Sequence, residues 1–170
     1  IQVGLAFLPV ALGIAVMSLG VSARVITRFG AKTALLPGLA FAALGLMLFR
    51  RAPENASYVA DLLPSMVLLG VGAGLAFPSL MTLAMSTATA EDSGVVSGLV
   101  NTTQQVGGAL GLAVLATLSS SHTALLRHGG ASTASALTGG DYRAFGTGAG
   151  LVVLGIALAG GPQPPPPAPR

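Results

Sequence analysis

The stretch from Gly94 to Ser119 (GVVSGLVNTTQQVGGALGLAVLATLS) holds no charged residue, yet Asn101, Thr102, Thr103, Gln104 and Gln105 sit near its middle. About 20 predominantly apolar residues, rising ~1.5 Å each, cross ~30 Å of hydrocarbon as a helix, so this stretch can span. Amides are costly in lipid unless something hydrogen-bonds to them. A spanning helix that keeps them sets them against other helices or a wet cavity. The stretch therefore points to a polytopic membrane protein with a polar interior, an arrangement suited to moving solutes.

Composition agrees. Of 170 residues only 8% are charged and 52% are hydrophobic, with mean hydropathy +0.81. An ordinary soluble domain carries about 25% charged residues; this chain cannot cover a soluble surface, whereas lipid can solvate it. The net charge of +3 and pI near 10.2 do not imply nucleic acid. The basic residues are scattered singly or in pairs, without a patch or interleaved aromatics, and read as loop charges at membrane ends. With no Cys, disulfides, thiol catalysis and zinc–thiolate sites are excluded. Arg greatly outnumbers Lys, and Ala and Gly abound, which reads as a high-GC bacterial coding sequence. The chain opens at Ile1 inside an apolar run, with no basic stretch or small-residue cleavage site before it. The expectation is a piece of a longer protein without a signal peptide.

Five segments can span: residues 3–23, 33–49, 62–85, 94–119 and 144–161. The second is short, and its flanking Lys32 and Arg50 can reach outward to the interface. Residues 24–32, 50–61, 86–93 and 120–143 read as polar connections, the last long, rich in Gly, Ser and Thr, and mobile. The predicted domain is a partial transmembrane bundle over 1–161. The Pro-rich tail 162–170 is expected to be disordered. The apolar runs are continuous and too long for barrel strands, so the fold class is all-α. Orientation does not follow from charge. Arg24, Arg28, Lys32 and Arg170 fall on one side, Arg50, Arg51, Arg127 and Arg143 on the other, which gives no positive-inside bias.

On a helical wheel, Ser97, Asn101, Gln104, Gln105 and Gly108 share an arc of about 100°. Val96, Leu99, Thr103, Val106 and Leu110 take the far side. Two readings stay open: inter-helix glue, or a cavity wall offering adaptable donors and acceptors to a solute. Polar contacts between membrane helices contribute only ~0.6–2 kcal/mol, so stability alone does not require four such residues. In the third segment Gly70, Gly72 and Gly74 permit close packing, and Pro78 permits a bend. Gly107, Gly108 and Gly111 are further packing candidates, and Gly70–Gly74, Gly94–Gly98, Gly107–Gly111 and Gly146–Gly150 are small-xxx-small pairs. A phosphate-loop reading of Gly70–Gly74 fails, since no strand precedes it and no Lys-Ser/Thr follows.

The connection Ala23-Arg24-Val25-Ile26-Thr27-Arg28-Phe29-Gly30-Ala31-Lys32 resembles the loop signature of the major facilitator superfamily, Gly-Arg/Lys-Leu-x-Asp-Arg-x-Gly-Arg-Arg/Lys. Arg24, Arg28, Gly30 and Lys32 match; Ala23 and Thr27 replace the usual Gly and Asp. The resemblance implies a cytoplasmic loop whose charges latch to neighbouring helix ends. The missing carboxylate suits the degenerate copy in the C-terminal half. LLGVGAGLAFPSLMTLAM followed by SGVVSGLVNTTQQVGGALGLAVLATL is similar to the C-terminal half of fourteen-helix drug:proton antiporters of the EmrB/QacA type. The most specific part is Gly98–Thr102 with Gln105–Gly111. Asp141-Tyr142-Arg143-Ala144-Phe145 before a last helix also fits.

That resemblance implies proton-driven export of a hydrophobic or cationic small molecule by two bundles rocking about a central site. The partners it implies are the lipid bilayer, the N-terminal half of the transporter and the substrate; localisation would be the bacterial plasma membrane. No cofactor is expected beyond a proton gradient, and no metal site. Glu54, Asp61, Glu91, Asp92 and Asp141 lie at or outside segment ends, and His122 and His128 fall in a connection. Coupling carboxylates are therefore expected in the N-terminal half. Export of a host-made metabolite and a non-transporting, self-associating membrane scaffold remain as alternatives. The chain shows no nucleotide motif, paired carboxylates, or nucleophile with a base, and so does not read as an enzyme.

Overall fold

The computed structural model describes residues 7–51, 57–86, 88–89, 91–130 and 132–161. The expected helix start at 3–6, Glu54 and the tail 162–170 lie outside these residues. Among the described residues there is no strand, and five helices are long and apolar enough to cross a membrane. They are α1 (Leu8–Phe29), α2 (Ala31–Arg50), α3 (Tyr58–Met85), α4 (Ser93–His128) and α5 (Thr133–Gly160). In space they form a row: α1 packs on α3, α3 on α2, α2 on α5 and α5 on α4, while α4 also grazes α3.

Local chemistry sets the helix ends. Gly30, at φ 88° and ψ 154°, alone separates α1 from α2; a side chain there would be strained. Residues 24–32 are therefore helical ends around one glycine, not the predicted loop. The second span is 20 residues, longer than predicted, because Ala31, Lys32 and Arg50 continue the helix and a long basic side chain tolerates an interfacial position. The Ser57 amide donates to the Asp61 carboxylate at 2.8 Å at the start of α3. Thr89 Oγ1 donates to Asp92 Oδ2 at 2.8 Å just before α4. The Ser132 hydroxyl caps α5 by accepting from the Ser135 amide at 3.2 Å.

The largest correction concerns 120–143. This stretch is not a long mobile loop: α4 continues to His128, α5 begins at Thr133, and only four residues connect them. At the start of this stretch the Ser120 hydroxyl, which would favour a loop, is turned back onto its own helix at the Thr117 carbonyl (3.1 Å). At 36 residues α4 is about 54 Å long, well beyond a ~30 Å hydrocarbon core. The α4–α5 hairpin therefore projects from the membrane, and His122, His128 and Asp141 ride on it as helical residues.

The core is built by backbone proximity, and α3 supplies most of it. A Cβ on Gly70 would lie 2.6 Å from the Val10 carbonyl oxygen, and one on Gly74 would lie 2.9 Å from the Ile14 carbonyl oxygen. Both face α1. Gly72, half a turn round, faces α2, where a Cβ would come within 2.5 Å of the Ala42 nitrogen and 2.7 Å of the Gly38 carbonyl oxygen. The three alternate glycines thus serve two helices. Gly13 on α1 answers Gly70 and Gly38 on α2 answers Gly72 from across the contacts, while Gly45 on α2 meets Ser65 and Leu69, a reciprocity the sequence did not reveal. The buried Ser65 and Ser79 satisfy themselves on the Asp61 and Leu75 carbonyls, at 3.1 and 2.7 Å. Pro78 lies inside α3 and Pro37 inside α2; each removes one ladder donor.

Because backbone, not a flexible side chain, blocks the space at Gly72, a single added methyl must push helices apart. Gly72→Ala is expected to destabilise the full-length protein by about 1–3 kcal/mol, read as a lower thermal midpoint in detergent; an unchanged midpoint would contradict the contact. The five-span arrangement is tested separately in this cysteine-free chain. Thr27→Cys and Gly129→Cys should react with an impermeant thiol reagent from opposite sides of the membrane. Labelling from one side would break the topology.

Candidate functional site

The polar stripe lies on α4, at the edge of the row. No residue of α4 is buried, and residues 101–110 are all exposed. Ser97, Asn101 and Gln104 line an open recess of about 270 Å³ together with Met81 of α3. Gln105 is exposed beside them and does not line it. Thr102 Oγ1 is turned back onto the Gly98 carbonyl at 2.9 Å. Among the described residues, neither Asn101, Gln104 nor Gln105 makes a side-chain hydrogen bond to another helix. Within this chain the stripe is accordingly not glue. Gly107, Gly108 and Gly111 would meet nothing within 4 Å if given a Cβ. They contrast with Gly70, Gly72 and Gly74, which are in tight contact.

The basic group of the first connection has a different geometry. The Arg24 guanidinium donates to the Gly20 carbonyl of its own helix. Arg28 lies over the Phe29 ring, 5.6 Å from its centre. Thr27, at the position of the usual carboxylate, is spent locally on the Arg24 carbonyl at 3.1 Å. Lys32 does reach a neighbour: its Nζ donates to the Gly161 carbonyl at 2.8 Å, in a partly buried setting. Gly161 is the residue closing α5, whose last carbonyls lack intrahelical partners and carry the negative end of the helix dipole. One charge thus fastens the α1–α2 connection to the end of the fifth span. It also places those two ends on the same side of the membrane, as five alternating spans require.

Two features had no sequence signal. Met17–Ser22 within α1 is a widened π-helical turn packed on α3. The Ser22 hydroxyl is fully buried there, without a partner among the described residues. Such turns have no compositional signature and arise from packing. On the other side of the membrane, Phe49 and Phe145 stack with ring centres 5.3 Å apart, which sets the level of α5 against the end of α2.

Residues 1–112 match the Major Facilitator Superfamily, and the chain belongs to that family. It is a multi-pass plasma-membrane protein of bacterial type. Over 166 residues it is 39% identical to the puromycin resistance protein pur8 of Streptomyces alboniger, covering 92% of this chain and 32% of that protein. It is 37% identical over 122 residues to the cephamycin export protein CmcT of Amycolatopsis lactamdurans, covering 72% of this chain and 25% of that one. A lincomycin resistance protein of Streptomyces lincolnensis is 34% identical over 115 residues, covering 67% of this chain and 23% of the relative. The chain spans about a third or less of the length of these relatives. No solved structure matches it significantly.

Lys32→Met keeps most of the apolar stem and removes the donor. Loss of a charge-assisted bond of this kind is expected to cost about 1.5–3 kcal/mol, seen as a lower thermal midpoint of the full-length protein and faster proteolysis at the end of α5. Wild-type behaviour in both assays would remove the latch.

Proposed function

We propose that this chain is the C-terminal part of a drug or antibiotic exporter, of the fourteen-helix EmrB/QacA type, driven by a proton gradient. In this reading Ser97, Asn101, Gln104 and Gln105 form part of the wall of the substrate path. The observation that carries it is the set of amides on α4 that find no partner helix within the chain, three of the four stripe residues opening into one recess beside Met81. A wall of amides and small apolar groups accepts many ligands, since it offers donors and acceptors without strict geometry. The names of the puromycin, cephamycin and lincomycin relatives support small molecules as cargo.

The work is transport without covalent chemistry. Proton coupling calls for a titratable group within the membrane. Among the described residues Asp61, Glu91 and Asp92 stand at helix ends and Asp141 on the projecting hairpin. We therefore place the coupling carboxylates, and the facing wall of the path, in an N-terminal portion of the transporter. The first connection would then be cytoplasmic, with Arg24, Arg28, Gly30 and Lys32 holding helix ends on that side. A second reading, export of a metabolite made by the host, draws support from the relative named as a cephamycin export protein.

In the full-length protein Asn101→Leu or Gln104→Leu should lower efflux of at least some substrates by about two- to tenfold, the worth of one or two hydrogen bonds. Membrane insertion and abundance should be unchanged. The measurement is dye efflux and drug susceptibility in cells expressing matched amounts. Unaltered efflux in both variants would return these amides to a packing role.

A further inference from the structure

A second cavity, of about 420 Å³, lies on the opposite side of the membrane from Gly30, between α2, α4 and α5. Its wall carries Arg50, Arg143, His122, Tyr142 and Thr147. Arg50 ends α2, at the boundary of a span that is itself about 30 Å long. Its guanidinium lies along α5 where Gly146 makes room: a Cβ there would be 3.5 Å from Arg50 Nη1. Arg143 is one turn further out on α5, and His122, half-buried, enters from α4 beside Gly139.

Among the described residues neither Arg50 nor Arg143 is in an ion pair, and no carboxylate lines the cavity. The nearest acidic residue on α5, Asp141, accepts from Ser119 Oγ at 3.1 Å on the side facing α4. Close by on α5, Leu46 and Leu115 approach Gly148, whose Cβ would lie 3.6 and 3.7 Å from them. The site is therefore a cationic recess at the end of a span, next to an apolar contact between α2, α4 and α5. Two guanidiniums present planar forks matched to phosphate oxygens, and basic recesses between membrane helices hold phosphate headgroups.

We propose that this cavity is a binding site for a phosphate monoanion, supplied by the headgroup of an anionic phospholipid, with Arg50 and Arg143 as its ligands. The site is separate from the amide stripe. Its occupancy is measured without transport, so it stands or falls independently of the exporter reading.

The test uses the full-length protein in detergent, with lipid adducts counted by native mass spectrometry after adding phosphatidylglycerol or phosphatidylcholine. Phosphatidylglycerol should be retained in preference, and the double variant Arg50→Gln/Arg143→Gln should lower its retention by about tenfold. Arg127→Gln, a basic residue outside the cavity, should leave retention unchanged. If the double variant does not fold, each single variant reads the same site with one fork remaining and should show a smaller loss. Inorganic phosphate that raises the thermal midpoint with the same arginine dependence, while phosphatidylglycerol does not bind, would keep the site and assign it to a free anion. Equal retention of both lipids together with no effect of phosphate, or full phosphatidylglycerol retention in the variants, would overturn the proposal.

Discussion

The close approach of α3 to two helices at once is the contact on which the remaining architecture rests. In lipid no hydrophobic effect drives helices together, so association depends on how near their backbones can come. Gly70 and Gly74 bring α3 onto α1, and Gly72 brings it onto α2, with Gly13 and Gly38 thinning the facing surfaces. With α3 and α2 locked, α5 docks on α2 through the Phe49–Phe145 stack, and α4 follows α5. The order of the row is thus set by where side chains are absent.

That order places α4 at an edge, which gives its polar stripe meaning. An amide in hydrocarbon needs a partner, and among the described residues Asn101, Gln104 and Gln105 make no side-chain bond to another helix. Their exposure is coherent with a larger assembly in which α4 faces a wet path, as expected of a chain covering about a third of its relatives' length. The closely packed side of the row and the open side are made from the same residue type. Glycine at 70, 72 and 74 meets backbone, while glycine at 107, 108 and 111 meets space.

Charges serve the ends of the spans on both sides. At one end Lys32 holds the Gly161 carbonyl that closes α5; at the other Arg50 and Arg143 line a recess in which no carboxylate stands among the described residues. The first compensates a helix dipole, whereas the second, among the described residues, meets no carboxylate. The long α4–α5 hairpin makes that second place possible, since it brings His122 and Arg143 together beside the end of α2.

Helical content, the number of spans and the family were legible in the residues. Hydrocarbon forces every backbone group to bond within its own segment, so long uncharged runs declare themselves locally. The arc of Ser97, Asn101, Gln104 and Gln105 was legible too, because helical periodicity needs no tertiary information. The ends of helices were less so: Ser, Thr and Gly over 120–143 suggest a loop, yet α4 runs to His128 and α5 starts at Thr133, with the Ser120 hydroxyl folded onto a helix carbonyl. Which glycine meets which helix, the Lys32–Gly161 bond and the pairing of Arg50 with Arg143 around one cavity were decided only by the tertiary structure. Each joins residues distant in the chain, and no local propensity encodes the distance between them.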